Sequence, residues 1–424
     1  MAEKTQLHTT EEAEEKVIVV GVDINGSGNN TEACLDELGL LIDTAGAKEI
    51  GRLVQKRERV SPGFYLGKGK IEELKNLVCE LGATGVVCDD ELSPAQMRNL
   101  EEALETKVMD RTMVILDIFA KRAMSSEGKI QVELAQLKYR LTRLAGLGAS
   151  LSRLGGGIGT RGPGEKKLET DRRYIKDRIS ELKESLEEIR THRELLRNQR
   201  KKKGSVVVSL VGYTNAGKST ILNGITNAGV LEEDKLFATL DTTTRIAQLP
   251  GGTNIMLTDT VGFIQKLSHH LVEAFKATLE ELQYADILLH VVDASDPSAE
   301  EHMKVVYDTL KELGCEGKPV ITVFNKMDSA DIMHVPEDKN SLSQINISAK
   351  NAGDLNSLLA ETERILKTFR RQTKVLIPYS KGGLLSGIYG KCEILSEEHT
   401  EDGTLIEAYM DDETVSRLND YIKE

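Results

Sequence analysis

The sequence predicts an α/β protein. Its principal domain is a mostly parallel, doubly wound sheet, preceded by an α/β domain with a helical hairpin and followed by a small C-terminal module. Three observations predict this. Over residues 205 to about 370, the strand-length apolar runs Val206–Val211, Ile287–Val292 and Val320–Phe324 alternate with helical patterns, as in a sheet covered on both faces. Residues 17 to about 125 alternate in the same way. Between them, Leu134, Leu137, Leu141 and Leu144 form one helical seam, and Ile175, Ile179, Leu182, Leu186 and Ile189 form a second, near-heptad seam. The expected parts are a mobile leader (1–16), an N-terminal α/β domain (17–125), an antiparallel helical hairpin (126–203), the doubly wound domain (204–370) and the C-terminal module (371–424).

Taken in order, Val17–Val22 reads as a buried strand. Thr31–Thr44 is a helix with Leu35, Leu38 and Leu41 or Ile42 on one face. Ile50–Val60 is strand-like, Lys70–Leu81 helical and Gly85–Cys88 a strand. Ser93-Pro94 opens a helix, an N-cap followed by proline in the first turn. The best-marked loop of this domain runs from Ser61 to Lys70. The two hairpin seams flank a glycine-rich, basic stretch with eight glycines between Gly146 and Gly164; loops of that length are usually functional or disordered. After 371, Val375-Leu376-Ile377-Pro378 is followed by glycine-rich turns and short strands.

Composition narrows the class. The 424 residues hold five cysteines, no C-x-x-C pair and no tryptophan. Neither a disulfide framework nor a zinc knuckle is expected. The polar, acid-rich first 16 residues lack the apolar core of a signal peptide, and the apolar runs are too short to span a membrane. A cytoplasmic chain, monomeric when free, is expected. Asn346-Ile347-Ser348 fits a glycosylation acceptor that such a chain would leave unused. The net charge of −13 argues against nucleic-acid binding only as an average. Residues 119–204 carry 22 basic and 11 acidic side chains, a net of +11, whereas the remainder carries 33 and 57, a net of −24. Polyanion contact would therefore fall on the hairpin and its tip, where Arg143, Arg153, Arg161, Lys166 and Lys167 are the candidate contacts. The tip is expected to be disordered until it meets RNA.

The chemistry-bearing motif is Gly212-Tyr213-Thr214-Asn215-Ala216-Gly217-Lys218-Ser219, a G-x-x-x-x-G-K-[ST] P-loop between a strand and a helix opening at Thr220. Glycines allow backbone N–H groups to wrap phosphates, and the helix N-terminus adds positive field. Lys218 would reach the β- and γ-phosphates and Ser219 would bind Mg²⁺. Asp259-Thr260-Val261-Gly262 follows a strand as D-x-x-G: Asp259 would hold Mg²⁺ through water, and the Gly262 N–H would sense the γ-phosphate. Asn325-Lys326-Met327-Asp328 ends another strand, and the Asp328 carboxylate can accept from guanine N1–H and the 2-amino group. Adenine lacks that pair, so GTP is favoured over ATP. Ser348-Ala349-Lys350 follows a further strand, where the Ala349 N–H can meet guanine O6. Four such motifs in order, each at a strand end, match ligand binding at the carboxyl edge of an open sheet. The segment Phe237–Arg245 should supply one threonine to Mg²⁺ and the γ-phosphate; spacing leaves Thr242, Thr243 and Thr244 open.

Phe263 follows D-x-x-G, where Ras-type enzymes place the water-orienting glutamine. Hydrolysis should therefore be slow without help, from a partner or from K⁺ held at Asn215; a plain turn residue is the equal alternative for Asn215. Arg161 and Arg245 are attractive transition-state charges, but no spacing rule brings either to the γ-phosphate.

Gly155–Arg173 (GGGIGTRGPGEKKLETDRR), together with GYTNAGKST, FATLDTTTR, DTVGF and NKMD, resembles the HflX family of ribosome-associated GTPases, over nearly the whole chain. The resemblance implies a T-L-D-x-T switch, which selects Thr243 as the metal and γ-phosphate threonine and gives Lys218, Thr243 and Gly262 the catalytic roles. It implies binding to the large (50S) ribosomal subunit and its RNA, and splitting of stalled or idle 70S ribosomes with the hairpin tip near the peptidyl-transferase region. It also implies a link between the N-terminal domain and ATP, which would fall on Tyr65–Lys70; a structural turn with an exposed lysine is the simpler reading there. Two further readings stay open: a non-catalytic RNA-binding assembly or anti-association factor, and a signalling GTPase with a protein partner.

Overall fold

The computed structural model describes residues 14–24, 30–151, 163–202, 206–226, 236–237, 242–266, 271, 279–331, 335–369, 371–410 and 412–423. The chain forms two compact units. The first comprises residues 1–121, 132–179 and 268–271; the second comprises 122–131, 180–267 and 272–424.

In the first unit, β1 (Lys16–Ile24), β2 (Lys48–Arg57), β3 (Gly85–Cys88) and β4 (Lys107–Asp110) make an all-parallel sheet in the order β2-β1-β3-β4. Three helices connect these strands: α1 (Thr31–Ala45), α2 (Lys68–Leu81) and α3 (Pro94–Leu104). α1 buries Leu35, Leu38, Leu41 and Ile42, the face its spacing predicts. The Ser93 signal forms a full capping box: Ser93 Oγ accepts from the Gln96 N–H, and Gln96 Oε1 accepts from the Ser93 N–H. Two boundaries shift. β2 starts two residues earlier than expected and stops at Arg57, because Ser61 is already bridged to Tyr65 in a tight turn. α2 opens at Lys68, so the Tyr65–Lys70 segment is a turn into a helix, with the Gly67 N–H bonded to Gln55 Oε1.

α4 (Arg111–Arg122) leads to α5 (Ser126–Leu151), and α6 spans Pro163–Lys202. From Glu133–Arg178 to Glu127–Arg193 the ion pairs step back along α5 and forward along α6, as antiparallel helices require. α5 continues through Gly146 and Gly148, so helix replaces the start of the expected glycine-rich loop. The leader to residue 13 and the tip from 152 to 162 lie outside the described residues.

In the second unit, β5 (Val206–Gly212), β6 (Thr243–Gln248), β7 (Asn254–Asp259), β8 (Ile287–Asp293), β9 (Val320–Asn325) and β10 (Ser343–Asn346) form a sheet ordered β10-β9-β8-β5-β7-β6. All pairings are parallel except that of the edge strand β6 with β7. The helices α7 (Lys218–Thr226), α8 (Ala299–Glu312) and α9 (Ala352–Thr368) belong to this domain. Val208, Leu210, Leu257, Leu289, Ile321 and Leu358 share one core, and Val292, Met303 and Phe324 a second. Full burial of each such side chain contributes about 1.5–3 kcal/mol.

The C-terminal module is an antiparallel sheet of β11 (Arg371–Ile377), β12 (Glu393–Thr400), β13 (Gly403–Met410) and β14 (Ile422–Lys423), ordered β12-β13-β11-β14. Where glycines predicted turns, the helix Gly383–Lys391 forms, because Leu384, Leu385 and Ile388 can all pack against the core of this sheet. Among the described residues, no helix is long and apolar enough to cross a membrane.

Candidate nucleotide site

The sheet order places the ends of β5, β7 and β9 and the loop after β10 along one edge, and each sequence motif sits at one of them. β5 delivers the P-loop, and α7 begins at Lys218. Asn215 has φ 59 and Gly217 φ +96, so the loop turns twice through left-handed backbone. Gly217 is required there: a Cβ would lie 2.2 Å from Asn325 Nδ2. Asn215 is exposed, Ala216 buried, and Thr220 lies in the first turn of α7.

Lys218 is nearly buried and donates Nζ to the carbonyl oxygens of Gly212 (3.1 Å) and Tyr213 (2.7 Å). Burial pushes its pKa down to about 8, against an opposing pull from the Asp259 carboxylate. The folded protein therefore holds fewer protons than the unfolded chain between about pH 8 and 10, so burial of this ammonium costs stability below about pH 8 and the cost is relieved as pH rises. Phosphate oxygens would restore the ordinary value. Nucleotide binding at about pH 9 is therefore expected to take up close to one proton, and GTP affinity to fall by up to about tenfold per pH unit above the shifted pKa. Calorimetry in two buffers of different ionisation enthalpy measures the uptake; equal heats would show that Lys218 is already charged.

Asp259, at the end of β7, is fully buried, and its Oδ2 accepts from Ser219 Oγ at 2.8 Å. Thr243 is directly opposite Asp259 in the β6–β7 ladder. Two hard oxygen donors are thus in contact, with a third beside them in register, a donor set that suits Mg²⁺ completed by water and phosphate. Thr244 is used otherwise: its hydroxyl lies 3.0 Å from that of Thr258. Thr242 is half-buried, and residues 238–241 lie outside the described residues. Arg245 is exposed on the edge strand and bonded to the Thr244 carbonyl.

Gly262 is pressed against the P-loop. A Cβ there would stand 2.7 Å from Thr214 Cγ2 and 3.1 Å from Lys218 Nζ. The Thr214 N–H donates to Phe263 O (2.8 Å) and the Phe263 N–H to Gly212 O (3.1 Å). Phe263 is itself buried at 3% exposure, so its ring is an anchor in the interior rather than a group facing the phosphates.

The N-K-x-D and S-A-K motifs converge as well. Asn325 is buried and bridges two loops, donating Nδ2 to Ala216 O (2.8 Å) and accepting at Oδ1 from the Ala349 N–H (2.9 Å). Its position in N-K-x-D was legible in the sequence, but its role as a strut was not. Lys326 has φ 60 and pairs with Asp293 at 2.7 Å. Asp328 accepts from Ser348 Oγ at 2.8 Å, and this bond is the main cause holding its carboxyl below the usual carboxylate value. Lys350, close by, is exposed. Sequence reasoning also missed the ring of Tyr213 stacked on His302 of α8, with centroids 3.7 Å apart.

The polyanion candidates divide. Arg143 is drawn into the first unit. Its guanidinium pairs with buried Asp110 at 2.6 Å, donates to Leu92 O and covers the Tyr139 ring. Arg153 and Arg161 lie outside the described residues; Lys166 and Lys167 fall in the first turns of α6.

Comparison with known proteins agrees with this site. The family described as 50S ribosome-binding GTPase matches residues 207–326. The families described as GTP-binding GTPase N-terminal and GTP-binding GTPase Middle Region match residues 32–120 and 122–200. The chain is 57% identical to GTPase HflX of Lacrimispora saccharolytica, with 98% of each chain covered. It is 52% identical to GTPase HflX of Caldanaerobacter subterraneus, covering 93% of this chain and 92% of the relative. Against GTPase HflX of Escherichia coli it is 42% identical, with 88% of each covered. A P-loop lysine, a buried metal-type aspartate and a guanine-type carboxylate on one sheet edge, in a chain this similar to its relatives, make the protein a GTP-hydrolysing enzyme that belongs to the HflX GTPase family.

Proposed function

We propose that this GTPase is a ribosome-associated switch: it binds the large (50S) subunit and splits stalled or idle 70S ribosomes in the cytoplasm as a monomer. Hydrolysis is slow alone and accelerated on the ribosome. The observation that carries the reading is the D-x-x-G turn: it is docked on the P-loop, yet the next residue is a buried phenylalanine, so another group must complete the hydrolytic site, and this reading assigns that to the ribosome. The HflX relatives and the 50S ribosome-binding description of the matched family support the same partner.

In this reading Ser219 and Thr243 ligate Mg²⁺ and Asp259 holds it through water. The P-loop amides and Lys218 take the phosphates, and Asp328 with Ala349 reads guanine. Arg153, Arg161, Lys166 and Lys167 are the proposed RNA contacts of the tip; the pairing of Arg143 with Asp110 favours a structural role for that residue. The five-part division given by the sequence is the proposed domain plan, and the three matched family segments support it.

Co-sedimentation with ribosomal subunits tests the proposal. With a non-hydrolysable GTP analogue the protein is expected to pellet with large subunits, with GDP much less, and deletion of residues 146–167 should reduce pelleting at least about tenfold at moderate salt. Nucleotide-independent pelleting would favour the assembly-factor reading. A second test addresses Asn215, whose exposed left-handed position beside the phosphate loop is open to a monovalent ion. Single-turnover hydrolysis is expected to be several-fold faster in K⁺ than in Na⁺; equal rates would leave Asn215 as a turn residue.

A further inference from the structure

We infer that Tyr213 is a positioning residue for GTP hydrolysis, acting through its side-chain hydroxyl on the segment that follows D-x-x-G. Tyr213 is the second residue of the P-loop, and its backbone carbonyl already accepts from Lys218. Its side chain turns away from the phosphate cradle. The hydroxyl accepts from the Gln265 N–H at 2.8 Å, and the ring lies flat on His302, with planes 10° apart. His302 in turn pairs with Asp296 at 3.1 Å, just beyond the end of β8. The ring is therefore fixed on one side by α8, and its hydroxyl serves as a fixed post for the turn.

That post matters because of what it holds. Residues 262–265 are tied to the P-loop by the Phe263 N–H on Gly212 O, the Thr214 N–H on Phe263 O, and the Gln265 N–H on the Tyr213 hydroxyl. Only the third of these is made by a side chain. It lies three residues beyond Gly262, at the exit of the turn, and Lys266 beside it has φ 52. Removing the hydroxyl takes one tie from the exit of the turn while leaving both backbone bonds in place. The seated conformation, with Gly262 over Thr214 and Lys218, then becomes less populated. Ground-state phosphate binding relies on the P-loop amides and Lys218, which the hydroxyl does not touch. The loss should therefore appear in the chemical step rather than in nucleotide affinity.

Tyr213→Phe keeps the ring and its stack on His302 and deletes only the hydroxyl. In single-turnover assays on the full-length protein with saturating GTP and Mg²⁺, the rate is expected to fall about five- to tenfold, the size of one lost hydrogen bond. The GDP dissociation constant should stay within about twofold of the parent, and amide hydrogen exchange over residues 262–266 should quicken. A parental hydrolysis rate overturns the assignment. So does a loss of GDP affinity as large as the loss in rate, because Tyr213 would then be a structural part of the phosphate loop. Tyr213→Leu, which loses the stack as well as the hydroxyl, should be at least as slow as Tyr213→Phe; a Tyr213→Leu rate closer to the parent than that of Tyr213→Phe would likewise exclude the hydroxyl as the acting group.

Discussion

Asp328→Asn is expected to lower GTP affinity by about two to three orders of magnitude and to raise affinity for xanthosine triphosphate. Asp328 offers two acceptor oxygens at the end of the turn after β9, and one is held by Ser348 Oγ at 2.8 Å. That bond favours the ionised form, so the site presents acceptors to the N1–H and 2-amino group of guanine, a pair of charge-assisted bonds. An amide keeps an acceptor for Ser348 and turns an N–H₂ toward the base. Guanine then meets a donor with donors. Xanthine carries a carbonyl in place of the 2-amino group and so accepts what the amide donates. Sites that lose a matched polar pair discriminate strongly because the unpaired partner remains desolvated. Competition binding with GTP, ATP and xanthosine triphosphate reads the exchange. A variant that still prefers GTP would remove Asp328 from base recognition. The fold should be indifferent, since Asp328 is exposed and its contacts are to the surface hydroxyls of Ser348 and Ser329.

The strand ends that carry these motifs were legible because their signals are local. A strand-length apolar run followed by G-x-x-x-x-G-K-S or N-K-x-D states both the element and the chemistry at its end, and β5, β7 and β9 end where those motifs begin. The Ser93-Pro94 cap and the leucine face of α1 were legible for the same reason. What the sequence did not disclose depended on partners far along the chain. Arg143 read as a tip charge because it precedes a glycine-rich stretch; its pairing with Asp110, 33 residues earlier, was not visible there. The missing glutamine at Phe263 was visible, but the burial of that ring and its backbone ladder to Gly212 and Thr214 were not, since nothing nearby in sequence announces a β-bridge. In the C-terminal module, glycine frequency suggested turns, and tertiary packing of Leu384, Leu385 and Ile388 made a helix instead.

Asn325 carries the clearest case of a residue whose motif hides its work, and Asn325→Asp is expected to cost both stability and nucleotide binding. The side chain is 2% exposed, and its two polar atoms face opposite demands: Nδ2 must donate to Ala216 O at 2.8 Å and Oδ1 must accept from Ala349 N at 2.9 Å. Only an amide satisfies both at this size. A carboxylate keeps the second bond and sets an oxygen against the Ala216 carbonyl, leaving a buried acceptor unpaired beside a charge. The phosphate loop that carries the Ala216 carbonyl must move to relieve this, at a cost of about 3 kcal/mol in domain stability. The Ala349 loop, proposed to face the base, would lose its tie to the phosphate loop at the same time, so GDP affinity should fall at least about a hundredfold. Chemical denaturation monitored with and without GDP separates the effects. Asp328→Asn should shift nucleotide affinity and leave the ligand-free midpoint in place, whereas Asn325→Asp should shift both. If Asn325→Asp unfolds like the parent, the bridge between the two loops contributes nothing, and the spacing of N-K-x-D would then reflect base contact alone.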